Sequence, residues 1–169
     1  RQGLVAFAAA EDLEYAVLQE VSANDRAEAS SIAQYIVLTT LAVTFGEKLK
    51  KQFTVIEQLS GASLVGRCYQ PPFDIYCPVG PSLTARLNEG TQQATAWRVV
   101  AGSFVTTDIG TGLVHIAPAF GEVDYGVLVH EQGRFADNQG PTLINCVAPD
   151  GTFTAEFPLC SGRFVKECD

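Results

Sequence analysis

The sequence predicts an α+β fold, a β-barrel core with short peripheral helices, and three observations lead there. Short apolar runs rich in Val, Ile, Phe and Tyr recur along the whole chain, too short for helices and bounded like strands. Turn signals separate them, among them Ser60-Gly61-Ala62-Ser63, Pro149-Asp150-Gly151 and the stiff Pro71-Pro72. Only two segments read as helices, and both are short. The spacing of the strands suits a closed or nearly closed barrel.

In chain order the expected strands run Leu4 to Ala8, Leu13 to Leu18, Tyr35 to Leu38, Phe53 to Leu59, Trp97 to Val105, Leu113 to Ile116 and Thr142 to Val147. The first helix is expected over Leu41 to Gln52, with Thr40 as its cap and lysines in its last turn. The second is expected over Glu122 to Gln132, where acids in the first turn meet the positive end of the helix dipole. Polar stretches at Ser22 to Ser31 and Pro78 to Ala94 read as surface loops, the second long enough to be an insertion. With no internal repeat and no linker, residues 1–169 are expected to form one domain.

A chain of 169 residues, 47% hydrophobic and 18% charged, has the balance of a soluble domain with a real core. No apolar run approaches the roughly 20 residues of a membrane span, and Arg1-Gln2-Gly3 opens neither a signal peptide nor a targeting pattern. An intracellular, cytoplasmic monomer without membrane contact is expected. The chain contains no methionine, which marks it as a piece of something longer. Cys68, Cys77, Cys146, Cys160 and Cys168 are odd in number and include no C-x-x-C pair; they fit neither a disulfide framework nor a zinc site and read as small hydrophobic thiols. A net charge of -8 repels a phosphate backbone, which argues against autonomous nucleic-acid binding. Lys48, Lys50 and Lys51, beside Glu47, read as a solvated helix face.

The chemistry concentrates in the stretch from Asp108 to Tyr125, DIGTGLVHIAPAFGEVDY. Gly110-Thr111-Gly112 gives a backbone that bends sharply and approaches a ligand closely. A plain turn into a strand would look the same. It is not G-x-G-x-x-G and no lysine follows to make a phosphate loop. His115 shares a strand face with Leu113, where it is either a satisfied core histidine or a pocket wall. Pro118 and Gly121 then turn the chain into the helix whose first turn holds Glu122 and Asp124. A first-turn acid there is worth about 0.3–1 kcal/mol with no further role.

As a constellation, GTGLVHIAPAFGEVDY resembles, nearly position for position, the motif of the editing (connective peptide) domain inserted in isoleucyl-tRNA synthetases. The resemblance extends to LVAFAAAEDLEYAVLQEV near the start, GEKLKKQFTVIEQLSGASLVGRCYQPPFD in the middle and INCVAPDGTFTAEFPLCSGRFVKECD at the end. Related valyl and leucyl domains share the glycine-threonine-glycine turn and the late aspartate. They differ at the position of His115 and read Pro-Ala-His-Asp where this chain has Pro118-Ala119-Phe120-Gly121. The family's threonine-rich peptide, of the form Thr-Thr-Thr-Pro-Trp-Thr-Leu-Pro, is absent from these residues, and Thr39-Thr40, followed by Leu-Ala-Val, do not replace it.

The resemblance implies post-transfer editing within an enzyme that ligates isoleucine to tRNA at the expense of ATP. A hydrophobic pocket distinguishes isoleucine from valine by only about 1–3 kcal/mol, a limit for which this family is itself the standing illustration. A second site therefore hydrolyses the ester that joins valine to the 3' end of tRNA(Ile). That ester is already activated, so a positioned water, oxyanion donors and an ammonium anchor suffice, and no cofactor or metal is needed. The implied roles are Asp124 as ammonium anchor, His115 as the wall that sets pocket depth, and Gly110, Thr111 and Gly112 as the lining near the terminal ribose. The implied partners are the aminoacylated 3' end of tRNA(Ile), its valine moiety and the rest of the parent synthetase. Two other readings stand beside it: a catalytically silent ligand-binding or scaffold barrel, and a cysteine hydrolase pairing a thiol with His115 or His130, which needs a lowered thiol pKa for which the sequence offers no positive neighbourhood.

Overall fold

The computed structural model describes residues 6–21, 33–71 and 84–168. The segment Ser22 to Ser31 lies outside the described residues, as do the start of the first expected strand and the stretch before Thr84. The chain divides into two compact units, Phe7–Arg67 with Val99–His115, and Arg1–Ala6 with Cys68–Arg98 and Ile116–Asp169.

The first unit contains β1 (Ala6–Ala9), β2 (Glu14–Glu20), β3 (Gln34–Leu38), helix α1 (Ala42–Leu49), β4 (Phe53–Ser60) and the single turn of helix α2 (Gly61–Leu64). Later in the chain β7 (Arg98–Ala101) and β8 (Leu113–Ile116) flank β1 in the order β7-β1-β8. The other sheet has the order β3-β2-β4, antiparallel throughout, with Tyr15 opposite both Leu38 and Leu59. β2 is the central strand, and Tyr15, Ala16, Val17 and Leu18 are all buried. Burial on both faces is why this strand reads as a continuous apolar run without alternation.

On one face of β2, Tyr15 packs with Ala9, Leu38, Leu41 and Leu64; on the other, Ala16, Leu18 and Val37 pack with Tyr35, Phe45 and Phe53. Those three rings lie 5.5 Å apart by centroid, in tilted and edge contacts that favour aromatic clusters. The register slips between Val17, opposite Glu57, and Leu18, opposite Val55. Ile56 is thus the extra residue of a β-bulge.

Helix α1 is shorter than expected. Thr39–Leu41 form a 3-10 turn ahead of it, and the cap residue is Leu41 with no side-chain cap bond, so Thr40 does not cap. It stops at Lys50, which takes the left-handed conformation at φ 55° and closes the end through its N–H to Glu47 and Gly46 carbonyls. The turn expected at Ser60-Gly61-Ala62-Ser63 is helix α2, capped where Ser60 Oγ accepts from the Ser63 N–H at 3.3 Å. Gly61 is required there because a Cβ would collide with the Ala10 carbonyl.

In the second unit the expected insertion Pro78 to Ala94 is a hairpin over its described part. β5 (Thr84–Arg86) pairs antiparallel with β6 (Gln92–Ala94) across a turn containing Gly90 at φ +98°. The turn chemistry of Asn88-Glu89-Gly90 won over the polar composition that suggested a loop. Helix α3 (Glu122–Arg134) follows the expected acids, and its far end is met by Asn88, whose N–H donates to the Arg134 carbonyl and whose Nδ2 donates to Gly133. Buried Glu131 on α3 accepts from buried Arg98 and from Arg134. A charge out of water is tolerable only when paired in this way.

Two expected strands are corrected. Trp97 to Val105 is a strand only over Arg98–Ala101, because Trp97 stands at φ 55° and cannot continue an extended ladder. Thr142 to Val147 forms no strand. Asn145 Oδ1 accepts from the Val147 N–H at 3.1 Å, a local turn that competes with pairing, and only an isolated bridge joins Val147 to Phe153. Among the described residues the strands form three separate sheets, a mixed helix-and-sheet fold.

Candidate functional site

The Gly110-Thr111-Gly112 turn belongs to the first unit and is built from backbone. Gly110 and Gly112 stand at φ +80° and +74°, in the left-handed region that favours glycine. The Thr111 carbonyl accepts from the Leu38 N–H at 2.8 Å, and the Tyr15 hydroxyl donates to the Gly112 carbonyl at 2.7 Å while accepting from the Ala10 N–H at 3.0 Å. Tyr15 is wholly buried, and burial raises its phenol above the ordinary value, with Asp12 adding to that rise. The proton that holds the turn therefore stays in place. A Cβ on Gly112 would overlap the Leu38 side chain, so the turn leaves room for Leu38 only because this residue is glycine.

His115 lies in β8 as expected, and it is exposed. It is not a core histidine. It lies on the same strand whose Leu113 packs against the Tyr15 cluster.

Asp124 belongs to the second unit, in the first turn of α3, where Gly121 is the cap residue with no side chain to offer. Asp124 Oδ2 reaches back to accept from the Ala117 N–H at 2.9 Å. Gly121 makes this possible, since a Cβ there would stand 3.1 Å from Asp124 Oδ2. The run Ala117-Pro118-Ala119-Phe120-Gly121 is thereby folded onto a half-buried carboxylate. The second oxygen, Oδ1, has no partner among the described residues and can accept from a ligand.

Composition and spacing gave no hint of Tyr15 or Ala117, because each acts through a contact made only in the folded chain. A groove of about 580 Å³, lined by residues including Leu18, Val43, Lys50, Lys51 and Phe53, contains none of the expected site residues. The motif's chemistry, and not the groove's size, marks the candidate site.

No family model matches the chain. It is 39% identical over 123 residues to the cytoplasmic isoleucine–tRNA ligase of Arabidopsis thaliana, covering 73% of this chain and 9% of that protein. It is 32% identical over 165 residues to the isoleucine–tRNA ligase of Bdellovibrio bacteriovorus, covering 98% of this chain and 13% of the relative. The chain belongs with the isoleucine–tRNA ligases. It spans about a tenth of the length of these ligases. A solved structure described as GlLeuRS-CP1 matches with a TM-score of 0.58 at 16% identity, over 98% of this chain and 71% of that one. That likeness is one of fold. Among the described residues no helix is long and apolar enough to cross a membrane.

Proposed function

We propose that this segment hydrolyses the ester of valyl-tRNA(Ile) within a longer isoleucine–tRNA ligase, and that the barrel expected of it closes around that reaction. The observation that carries the reading is the held carboxylate: Asp124 is fixed through Oδ2 to the Ala117 N–H, leaving Oδ1 to accept from the one group every aminoacyl ester shares, its α-ammonium. An anchor fixed before substrate arrives orients the ester carbonyl without reorganisation cost. His115, exposed on β8, limits how large an amino-acid side chain is admitted. Gly110, Thr111 and Gly112 offer bent backbone to the terminal ribose. The chemistry asks for a water and hydrogen-bond donors, and for no cofactor.

The relatives are named as isoleucine–tRNA ligases, which supports a cytoplasmic setting, the rest of the synthetase as covalent partner and the 3' end of tRNA(Ile) as substrate. The test compares deacylation of valyl-tRNA(Ile) and isoleucyl-tRNA(Ile) by a full-length ligase carrying this segment and by the same ligase with the segment removed. Hydrolysis of the valyl ester alone, lost on removal, is expected. Equal hydrolysis by both proteins would leave the segment as a silent binding or scaffold domain.

A further inference from the structure

The end of the chain has little regular structure to hold it. Between Cys146 and Cys168 there are two 3-10 turns, Pro158–Cys160 and Val165–Glu167, and the isolated bridges Val147 to Phe153, Thr152 to Phe164 and Phe153 to Ser161. Its apolar centre is Cys146, Phe153 and Phe157, with the two rings 4.9 Å apart by centroid. Cys160 and Cys168 both pack against this centre, half-buried and free. The chain between them turns at Gly162, φ +77°, and the Arg163 Nη2 donates to the Glu167 carbonyl at 2.7 Å, drawing the ends of the turn together. Eight residues apart in sequence, the two thiols thus share one apolar centre.

We infer that Cys160 and Cys168 form a reversible disulfide site, because the fold packs both half-buried thiols against one small apolar centre across the tight turn at Gly162 and leaves them within reach of a small oxidant. The oxidant class is a low-molecular-weight disulfide. The thiolate of one cysteine attacks it, forms a mixed disulfide and expels one thiolate. The neighbouring cysteine gives its proton to solvent, attacks the protein sulfur of that mixed disulfide and expels the second. Two protein thiols and one small disulfide become one protein disulfide and two small thiols, so electrons and protons balance. Partial burial, then contact with Cys160, raises the Cys168 thiol against the opposing pull of Arg163, and the resting pair is the dithiol. In a reducing compartment such a pair serves as a transient, redox-responsive bond. Here it would add a covalent tie to a segment otherwise held by turns, isolated bridges and one small apolar centre.

The probe is oxidised glutathione added to the 169-residue chain, followed by alkylation, trypsin and peptide mass mapping. Trypsin cuts after Arg163 and Lys166, and a second digestion with a glutamate-specific protease cuts after Glu156, between Cys146 and Cys160, so the bond is read as a linked pair of peptides with each cysteine assigned. The expected result is a Cys160–Cys168 pair that dithiothreitol reverses, and several-fold slower cutting after Arg163 in the oxidised chain. In Cys160→Ser, Cys168 should accumulate as a stable glutathione adduct. Linked pairs running mainly through Cys68 or Cys146, a stable glutathione adduct on either cysteine of the unaltered chain, or no linked pair while Cys68 reacts, would overturn the inference.

Discussion

Replacing Asp124 separates what its hydrogen bond does for the fold from what its charge does for a ligand. Sequence alone assigns a first-turn acid about 0.3–1 kcal/mol, so Asp124→Ala would scarcely affect folding. The structure raises that figure. Asp124 Oδ2 accepts from the Ala117 N–H at 2.9 Å, and Ala117 is only 5% exposed. Truncation leaves a buried donor without a partner, which costs about 1–3 kcal/mol. Together with the dipole, Asp124→Ala should cost about 1.3–4 kcal/mol, and at this length the melting temperature should fall by roughly 3–16 °C. Asp124→Asn keeps an oxygen for the Ala117 N–H and loses only charge, so its cost should stay near about 1 kcal/mol. Thermal melts, with hydrogen exchange at the Ala117 amide, measure the difference. In the full-length ligase both variants should lose valyl-tRNA(Ile) deacylation by roughly 100-fold or more, the rate equivalent of about 3 kcal/mol. Equal melting temperatures for the Ala and Asn variants would refute the structural role, and wild-type deacylation by Asn would refute the anchor.

Further outcomes are expected at three positions. His115→Ala in the full-length ligase should admit the larger side chain, so isoleucyl-tRNA(Ile) begins to be hydrolysed while valyl-tRNA(Ile) still is; continued sparing of the isoleucyl ester would remove His115 from the pocket wall. Because burial raises the Tyr15 phenol above its ordinary 10.0, its contribution to stability is complete below that pH and is lost as pH climbs through the raised folded value. Tyr15→Phe should cost about 1–3 kcal/mol at neutral pH and lose less stability than wild type between neutral and strongly alkaline pH, as denaturant melts at the two pH values would show. Glu131→Ala strands buried Arg98 and should cost about 3–5 kcal/mol, whereas a denaturation midpoint close to wild type would mean that water already reaches the guanidinium.

The sequence by itself determined the element types where the local signal and the fold agree. β2 was legible as an apolar run, α3 by the acids Glu122 and Asp124, and β8 by Leu113 to Ile116, because each pattern is carried within a few neighbouring residues. The motif from Gly110 to Asp124 was legible for the same reason, and the relationship to isoleucine–tRNA ligases rests on it and on the flanking stretches. Local chemistry also misled: Thr142 to Val147 has a strand's composition, yet Asn145 turns the backbone on itself, and the polar residues around Gly90 conceal a hairpin. Only the tertiary structure decided what holds the site residues. Tyr15 meets Gly112 across 97 positions of sequence, and the Arg98–Glu131 pair spans 33. Such contacts form when strands and helices pack, and no periodicity or spacing along the chain records them. The exposure of His115 and the hold of Ala117 on Asp124 belong to that second kind of information, and they are what turn a motif into a testable site.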